Sequence, residues 1–188
     1  MAQTQDRLVF LDLETMGLRP TASIVQVGIV IARLNGRAFE SQASWSHTVP
    51  RSAREWATAE PGAASMHAQS GLREASERAY AASVRDQGQR PVLTVASEEA
   101  IRFLSEQGFG PQQAMIAGTS VGVDRVWLAV QMPHLHDYLH YRMVDVSALR
   151  TLRGMLGQTV ERAEKAHTAI ADCEAAISEL NLHLRSLA

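Results

Sequence analysis

One cysteine, Cys173, stands in 188 residues, which excludes an internal disulfide and fits a reducing cytoplasm. No apolar run approaches the ~20 residues of a membrane-spanning helix, so no membrane partner is expected. Residues 1–6 lack the basic and apolar regions of a secretory signal. Excess charge of one sign is also missing. A net charge of −2 gives no general attraction to nucleic acid, so any such binding has to be local, through a cleft with its own arginines or metal. There is no internal repeat and no low-complexity tail. What remains is ordinary for a globular chain, with 46% apolar and 20% charged residues. One cytoplasmic domain with a substantial core is expected.

Residues 8–13 read as a first strand and 24–34 as a second, β-branched and strongly apolar. Asn35-Gly36 signals a hairpin, and residues 39–49 complete a three-strand antiparallel meander. Residues 51–89 are alanine-rich, polar and interrupted by Pro61-Gly62, Ser70-Gly71 and Gly88, a pattern of short helices and loops. A helix over 94–107 follows, stopped by 108–111. Beyond it come a short strand over 114–117, a helix over 121–131, a strand over 143–146 and a helix over 147–155. Ile170, Cys173, Ile177, Leu180 and Leu184 are spaced by three and four, which makes one apolar face of a terminal helix. A hairpin group followed by alternating helix and strand argues for a mixed α/β sheet.

Acids occupy several positions where this pattern asks for apolar residues. Asp12 and Glu14 end the first strand. Residues two apart in a strand point to one face, so their carboxylates converge. Like charges so placed are costly unless something positive lies between them. A hard divalent cation with oxygen ligands is the candidate, and a turn former or solvated charge the alternative. Asp124 shares a helix face with Val121 and Leu128, toward the core, where a carboxylate needs a cation or an arginine. Asp172 falls in the first turn of the terminal helix, where it complements the helix dipole or joins the other acids. His167 precedes Thr168, a candidate N-cap, and so lies in the loop outside that helix. Histidine, titrating near pH ~6.5 as a free side chain, suits general-base work beside such a cluster. Four carboxylates suffice for two Mg²⁺ or Mn²⁺ ions ~3.5–4 Å apart, the geometry of phosphodiester hydrolysis.

Three segments carry a resemblance to a known superfamily. Phe10-Leu11-Asp12-Leu13-Glu14-Thr15-x-Gly17-Leu18, Gly118-x-Ser120-x-Gly122-x-Asp124 and His167-x-x-x-x-Asp172 resemble, in order and spacing, the motifs of the DEDDh 3′→5′ exonucleases. The resemblance implies a ribonuclease H-like α/β fold, with a central mixed five-stranded sheet flanked by helices, as one exonuclease domain over 1–188. It implies Asp12, Glu14, Asp124 and Asp172 as ligands of two divalent cations and His167 as general base. Within the superfamily, His67-x-x-Ser70-Gly71-Leu72 and His140-Tyr141-Arg142-x-x-Asp145-Val146-Ser147-x-Leu149 are similar to the oligoribonucleases. Those enzymes degrade very short RNAs, chiefly dinucleotides, to mononucleotides. The similarity implies short single-stranded RNA as substrate and a homodimer. Leu18 is then the wedge between two bases, and His67 faces the substrate near its 3′ end. Tyr141 stacks and Arg142 meets the 5′-phosphate, both from the neighbouring subunit, with Ser120 and Ser147 nearby.

The chain departs from the oligoribonuclease pattern at Gly62, where tryptophan is usual, at Thr119, where asparagine is usual, and in a longer stretch over 74–91. The five catalytic positions stay whole. Two alternatives stay open: an exonuclease of the proofreading or repair type acting on DNA, and a non-catalytic nucleic-acid-binding protein of the same fold. His134, His136 and His140 show no repeating ligand spacing and read as a solvated helix-turn. Asp145 reads as a helix cap or a substrate contact, and Cys173 as core.

Overall fold

Two strands with few polar residues in their interiors organise the molecule. β1 (Arg7–Thr15) and β2 (Ile24–Asn35) pair antiparallel and carry residues buried on both faces, as near-continuous apolar runs do when helices cover a sheet on both sides. The structure is a computed structural model that describes residues 6–83, 91–158 and 166–185. Residues 84–90 of the stretch read as longer than usual, with Gly88, lie outside the described residues.

The Asn35-Gly36 hairpin forms as expected. Gly36 takes the left-handed φ of 61° that the turn requires, and Asn35 pairs with Ala38 at the start of β3 (Ala38–Thr48). Two parallel strands, β4 (Ala114–Gly118) and β5 (Leu139–Asp145), complete a five-stranded sheet in the order β3-β2-β1-β4-β5. β5 begins earlier than the apolar run over 143–146 suggests. Only Leu139 at its start is deeply buried, and the His140-Tyr141-Arg142 stretch shows no apolar alternation because β5 is an edge strand.

Three short helices fill the segment after β3: α1 (Ala53–Trp56), α2 (Pro61–Gln69) and α3 (Leu72–Ser83). α4 (Val92–Glu106) and α5 (Val121–Gln131) follow the expected spans closely. α6 (Pro133–Tyr138) is a short helix where a helix-turn was read, with Pro133 in its first turn. α7 (Val146–Met155) and α8 (Ala169–Arg185) close the fold. No helix among the described residues is long and apolar enough to cross a membrane.

Two cores flank the sheet. Val9 and Leu11 of β1 join Ala96, Leu104, Val121 and Leu128 on one side. Leu8 and Phe10 join Cys173, Ala176, Ile177 and Leu180 of α8 on the other. Alternation along the strand then carries Asp12 and Glu14 onto the α8 face, in line with Leu8 and Phe10. The acids continue an apolar row.

Candidate active site

β4 makes its last pair with β1 at Phe10 and Ala117. Asp12 and Glu14 therefore project beyond the carboxyl end of the neighbouring parallel strand, the usual location of a site in an open α/β sheet. Asp172, one turn into α8, comes down on the same spot. Each of the three acids offers an oxygen within 4.8 Å of the others, and Glu14 and Asp172 are only 5% exposed. Such a set of hard, buried oxygen donors fits Mg²⁺ or Mn²⁺ and fits poorly with leaving the charges unneutralised.

Asp124 approaches from the opposite helix layer. Its Oδ1 accepts the backbone N–H of Leu13 at 3.0 Å, on the strand segment between Asp12 and Glu14. The expectation that this acid has a partner is met in part by this backbone donor. Arg125 instead donates to the His140 carbonyl at 2.8 Å. Cys173 lies beneath the cluster. Burial, and then Asp12, Asp124 and Asp172 together, push its thiol well above the ordinary range, so it stays neutral.

His167 stands in the loop before α8 with a φ of +55°. A non-glycine residue in this region costs about 1–2 kcal/mol and is held there by its surroundings. Part of the hold comes from Asp172, whose Oδ1 accepts the Ala166 N–H at 3.2 Å, reaching back across His167. Both residues line an open cleft of about 500 Å³ together with Asp12, Glu14 and Leu18, a volume suited to a small ligand. Leu18 is 84% exposed at its mouth.

His67 is wholly buried behind this cleft. Its Nε2 donates to the Thr15 carbonyl at 2.9 Å, and its Nδ1, without a hydrogen-bond partner, lies 3.8 Å from Glu14 Oε2. Burial holds the imidazole below the ordinary histidine range against that hydrogen bond, and nearby His167 adds to the depression. Trp56 packs edge-on against the His67 ring and is itself buried, so it is core and not part of the cleft wall. Gly62 does line the cleft, and a Cβ there meets nothing within 4 Å.

The remaining positions gather elsewhere. Ser120 Oγ and Ser147 Oγ lie 3.2 Å apart, both tied to Asp145, whose Oδ1 accepts from Ser120 N, Ser147 N and Ser147 Oγ. Asp145 thus caps α7 and also joins its start to that of α5. Tyr141 and Arg142 stand exposed on β5, the Tyr141 ring stacked on His140 at 4.6 Å and the Arg142 guanidinium 5.4 Å from the Tyr141 ring. Neither is among the residues lining this chain's cleft.

The model of a family described as "3'-5' exoribonuclease Rv2179c-like domain" matches residues 7–181. The chain belongs to this family. An oligoribonuclease from Corynebacterium glutamicum (strain R) is 33% identical over 99% of this chain and 82% of its own length. One from Aromatoleum aromaticum (strain DSM 19018 / LMG 30748 / EbN1) is 32% identical over 96% of the chain and 93% of its own. The crystal structure of cell-death related nuclease 4 (CRN-4) superposes with a TM-score of 0.64 at 14% identity. That of a full-length 3′-exonuclease does so at 0.53 and 10%. Both alignments cover 96% of this chain, which spans 64% and 61% of the two crystallised chains. At those identities they carry the fold alone. The resemblance read from the three motifs is thereby borne out, as is the ribonuclease H-like sheet.

Two supports of this exoribonuclease's cluster escaped sequence reasoning. Gly28 pairs with Asp12 across the sheet, and a Cβ on it would lie 2.5 Å from Ala169 Cβ and 2.8 Å from the Ala169 carbonyl carbon. α8 thus begins directly on β2, and Gln26 Oε1 accepts the Ala169 N–H at 2.9 Å. Asp172 sits one turn further on. The available signal was a glycine inside an apolar strand, which marks close backbone approach. Gly28→Ala is expected to cost about 1–3 kcal/mol through overpacking and to weaken Mn²⁺ binding by tilting Asp172 away. Thermal melting and a Mn²⁺ titration check this; a destabilised variant with unchanged Mn²⁺ affinity would contradict it.

Proposed function

We propose that this chain removes nucleotides one at a time from the 3′ ends of very short RNAs, dinucleotides included, releasing 5′-mononucleotides. The observation that carries the reading is the meeting of Asp12, Glu14 and Asp172 in one cleft with His167. Relatives named as oligoribonucleases, matched over nearly the whole chain, support the substrate class.

Asp12, Glu14 and Asp172, which converge, and Asp124 from α5 would hold two divalent cations, Mg²⁺ or Mn²⁺. Such cations supply Lewis acidity, making an attacking water more acidic and offsetting charge on the phosphoryl group. His167 takes the proton of that water as its oxygen attacks the terminal phosphorus. The bond from phosphorus to the 3′-oxygen of the preceding nucleotide breaks. A 5′-mononucleotide leaves, and the shortened chain keeps a 3′-hydroxyl. Leu18 packs against the bases at the cleft mouth, and His67 steadies Glu14 and the end of β1 near the 3′ nucleotide.

A second copy of the chain completes the site. Val123, Val126 and Val130 are exposed on α5, which packs on β5, where Tyr141, Arg142 and Met143 are exposed. A homodimer built on this face brings the partner copy's base-stacking tyrosine and 5′-phosphate-binding arginine to the cleft, with Ser120 and Ser147 close by. Arg142→Ala is expected to reduce dinucleotide cleavage by about 10–100-fold, as loss of a charge-assisted phosphate contact does, and to affect longer chains much less. Mixing Arg142→Ala with Asp12→Ala chains should then restore activity, because mixed dimers contain one intact composite site. Equal losses on short and long RNA, or no recovery on mixing, would contradict the shared site.

The reading as a whole is tested by incubating 5′-labelled RNA and DNA of equal, short length with the protein and Mn²⁺. Stepwise shortening of the RNA down to labelled mononucleotide is expected. Faster digestion of DNA, or internal cuts, would contradict it.

A further inference from the structure

We propose that Glu60 is a positioning residue that fixes Leu18 at the mouth of the cleft; this rests on the reading above in which Leu18 contacts the bases. Leu18 is 84% exposed, so its side chain gains nothing from a surrounding core and its position is set by its backbone. The Leu18 N–H donates to Glu60 Oε1 at 3.1 Å, and the Glu60 N–H donates to the Met16 carbonyl at 2.8 Å. Glu60 therefore grips the turn on both sides of Gly17, from 42 residues away in sequence.

Two further observations show that this contact is built. A Cβ at Gly17 would lie 2.5 Å from Glu60 Oε1, 2.6 Å from Cδ and 2.9 Å from Cγ, so the Glu60 side chain packs directly on the glycine and a methyl group there would displace it. Glu60 also occupies the N-cap of α2, yet its side chain makes no capping hydrogen bond. Capping there is the work of the shorter Ser, Thr, Asp and Asn side chains, so the longer glutamate is free to reach elsewhere. Here it reaches the Leu18 N–H, on the cleft wall that the two residues share. The rest of the loop is held independently by Gln131 on the Pro20 and Ala22 carbonyls at 2.8 and 2.7 Å, while the Gly17–Leu18 peptide itself is held at both ends, its carbonyl by Thr15 Oγ1 at 2.8 Å and its N–H by Glu60. Glu60 thus supplies the second hold on the peptide that carries Leu18, from the side of the cleft.

Steady-state kinetics on a dinucleotide and a longer RNA, with melting temperatures, test this for Leu18→Ala, Glu60→Ala, Glu60→Gln and Gly17→Ala. Leu18→Ala and Glu60→Ala should each raise the dinucleotide KM by about tenfold with little change in kcat, the first through lost apolar contact with the bases and the second through loss of one hydrogen bond that positions it. Their double variant should be no worse than Leu18→Ala alone. Glu60→Gln should keep the wild-type KM, since its amide oxygen accepts the same N–H. Gly17→Ala should reproduce Glu60→Ala, and it carries the test if Glu60→Ala does not fold. A raised KM for Leu18→Ala alone, or losses that simply add, would overturn the role of Glu60 and leave that of Leu18 standing. An unchanged KM for Leu18→Ala would overturn both.

Discussion

Asp12→Asn is expected to reduce turnover by about a thousandfold or more while leaving the metal-free protein at least as stable as the wild type. The first effect follows from removing one of the acids that would hold the cations, where metal chemistry supplies several kcal/mol of the rate. The second follows from charge. Asp12, Glu14 and Asp172 present oxygens within 4.8 Å of one another, and at that spacing each like-charge pair costs from about 1 kcal/mol in bulk water to about 3.5 kcal/mol near a protein surface. Neutralising one acid relieves two such pairs. Cations reverse the order. At a hundred times its dissociation constant, Mn²⁺ is expected to stabilise the wild type by about 2.7 kcal/mol, and the variant far less. Melting in chelator and in Mn²⁺ reads this directly. A variant that melts below the wild type in chelator, and gains equally from Mn²⁺, would mean that Asp12 is a structural acid and not a ligand.

His167→Ala is expected to lower turnover by about 10²–10⁴-fold, the usual contribution of a general base, with Mn²⁺ affinity nearly unchanged. The geometry separates the two effects because the oxygens of Asp12, Glu14 and Asp172 converge without the histidine. The loop that carries His167 is partly held by the Ala166–Asp172 hydrogen bond, which involves no histidine atom. Alanine at φ +55° keeps the strain already present, so the loop has no new reason to move. Turnover per bound metal, from parallel kinetics and Mn²⁺ titration, is the quantity to compare. Mn²⁺ affinity collapsed with turnover per bound metal intact would give His167 a role in holding the cation instead.

Much of this site was legible in the chain because its signals are local. Asp12 and Glu14 sit two apart at the end of an apolar strand, and strand geometry alone turns them to one face. Asp172 falls in the first turn of a helix whose apolar stripe is regular, so its approach to the sheet follows from burying Cys173, Ile177 and Leu180. Other features depend on contacts between distant segments. Asp124 finds its partner in the Leu13 N–H only because β4 stops pairing at Phe10, and no local pattern announces where a neighbouring strand ends. Glu60 reads as one more acid in a polar stretch until the fold lays it over Gly17. His67 shows the same limit in reverse: its motif suggests a group facing substrate, while tertiary packing against Trp56 buries it completely behind Glu14.

The most direct single measurement is cleavage of a 5′-labelled diribonucleotide by chelator-treated protein as Mn²⁺ is added back. No product without metal, and a steep rise consistent with two ions acting together, is expected. Cleavage that proceeds undiminished in excess chelator would contradict the assignment of Asp12, Glu14, Asp124 and Asp172 as the ligands of a two-cation centre.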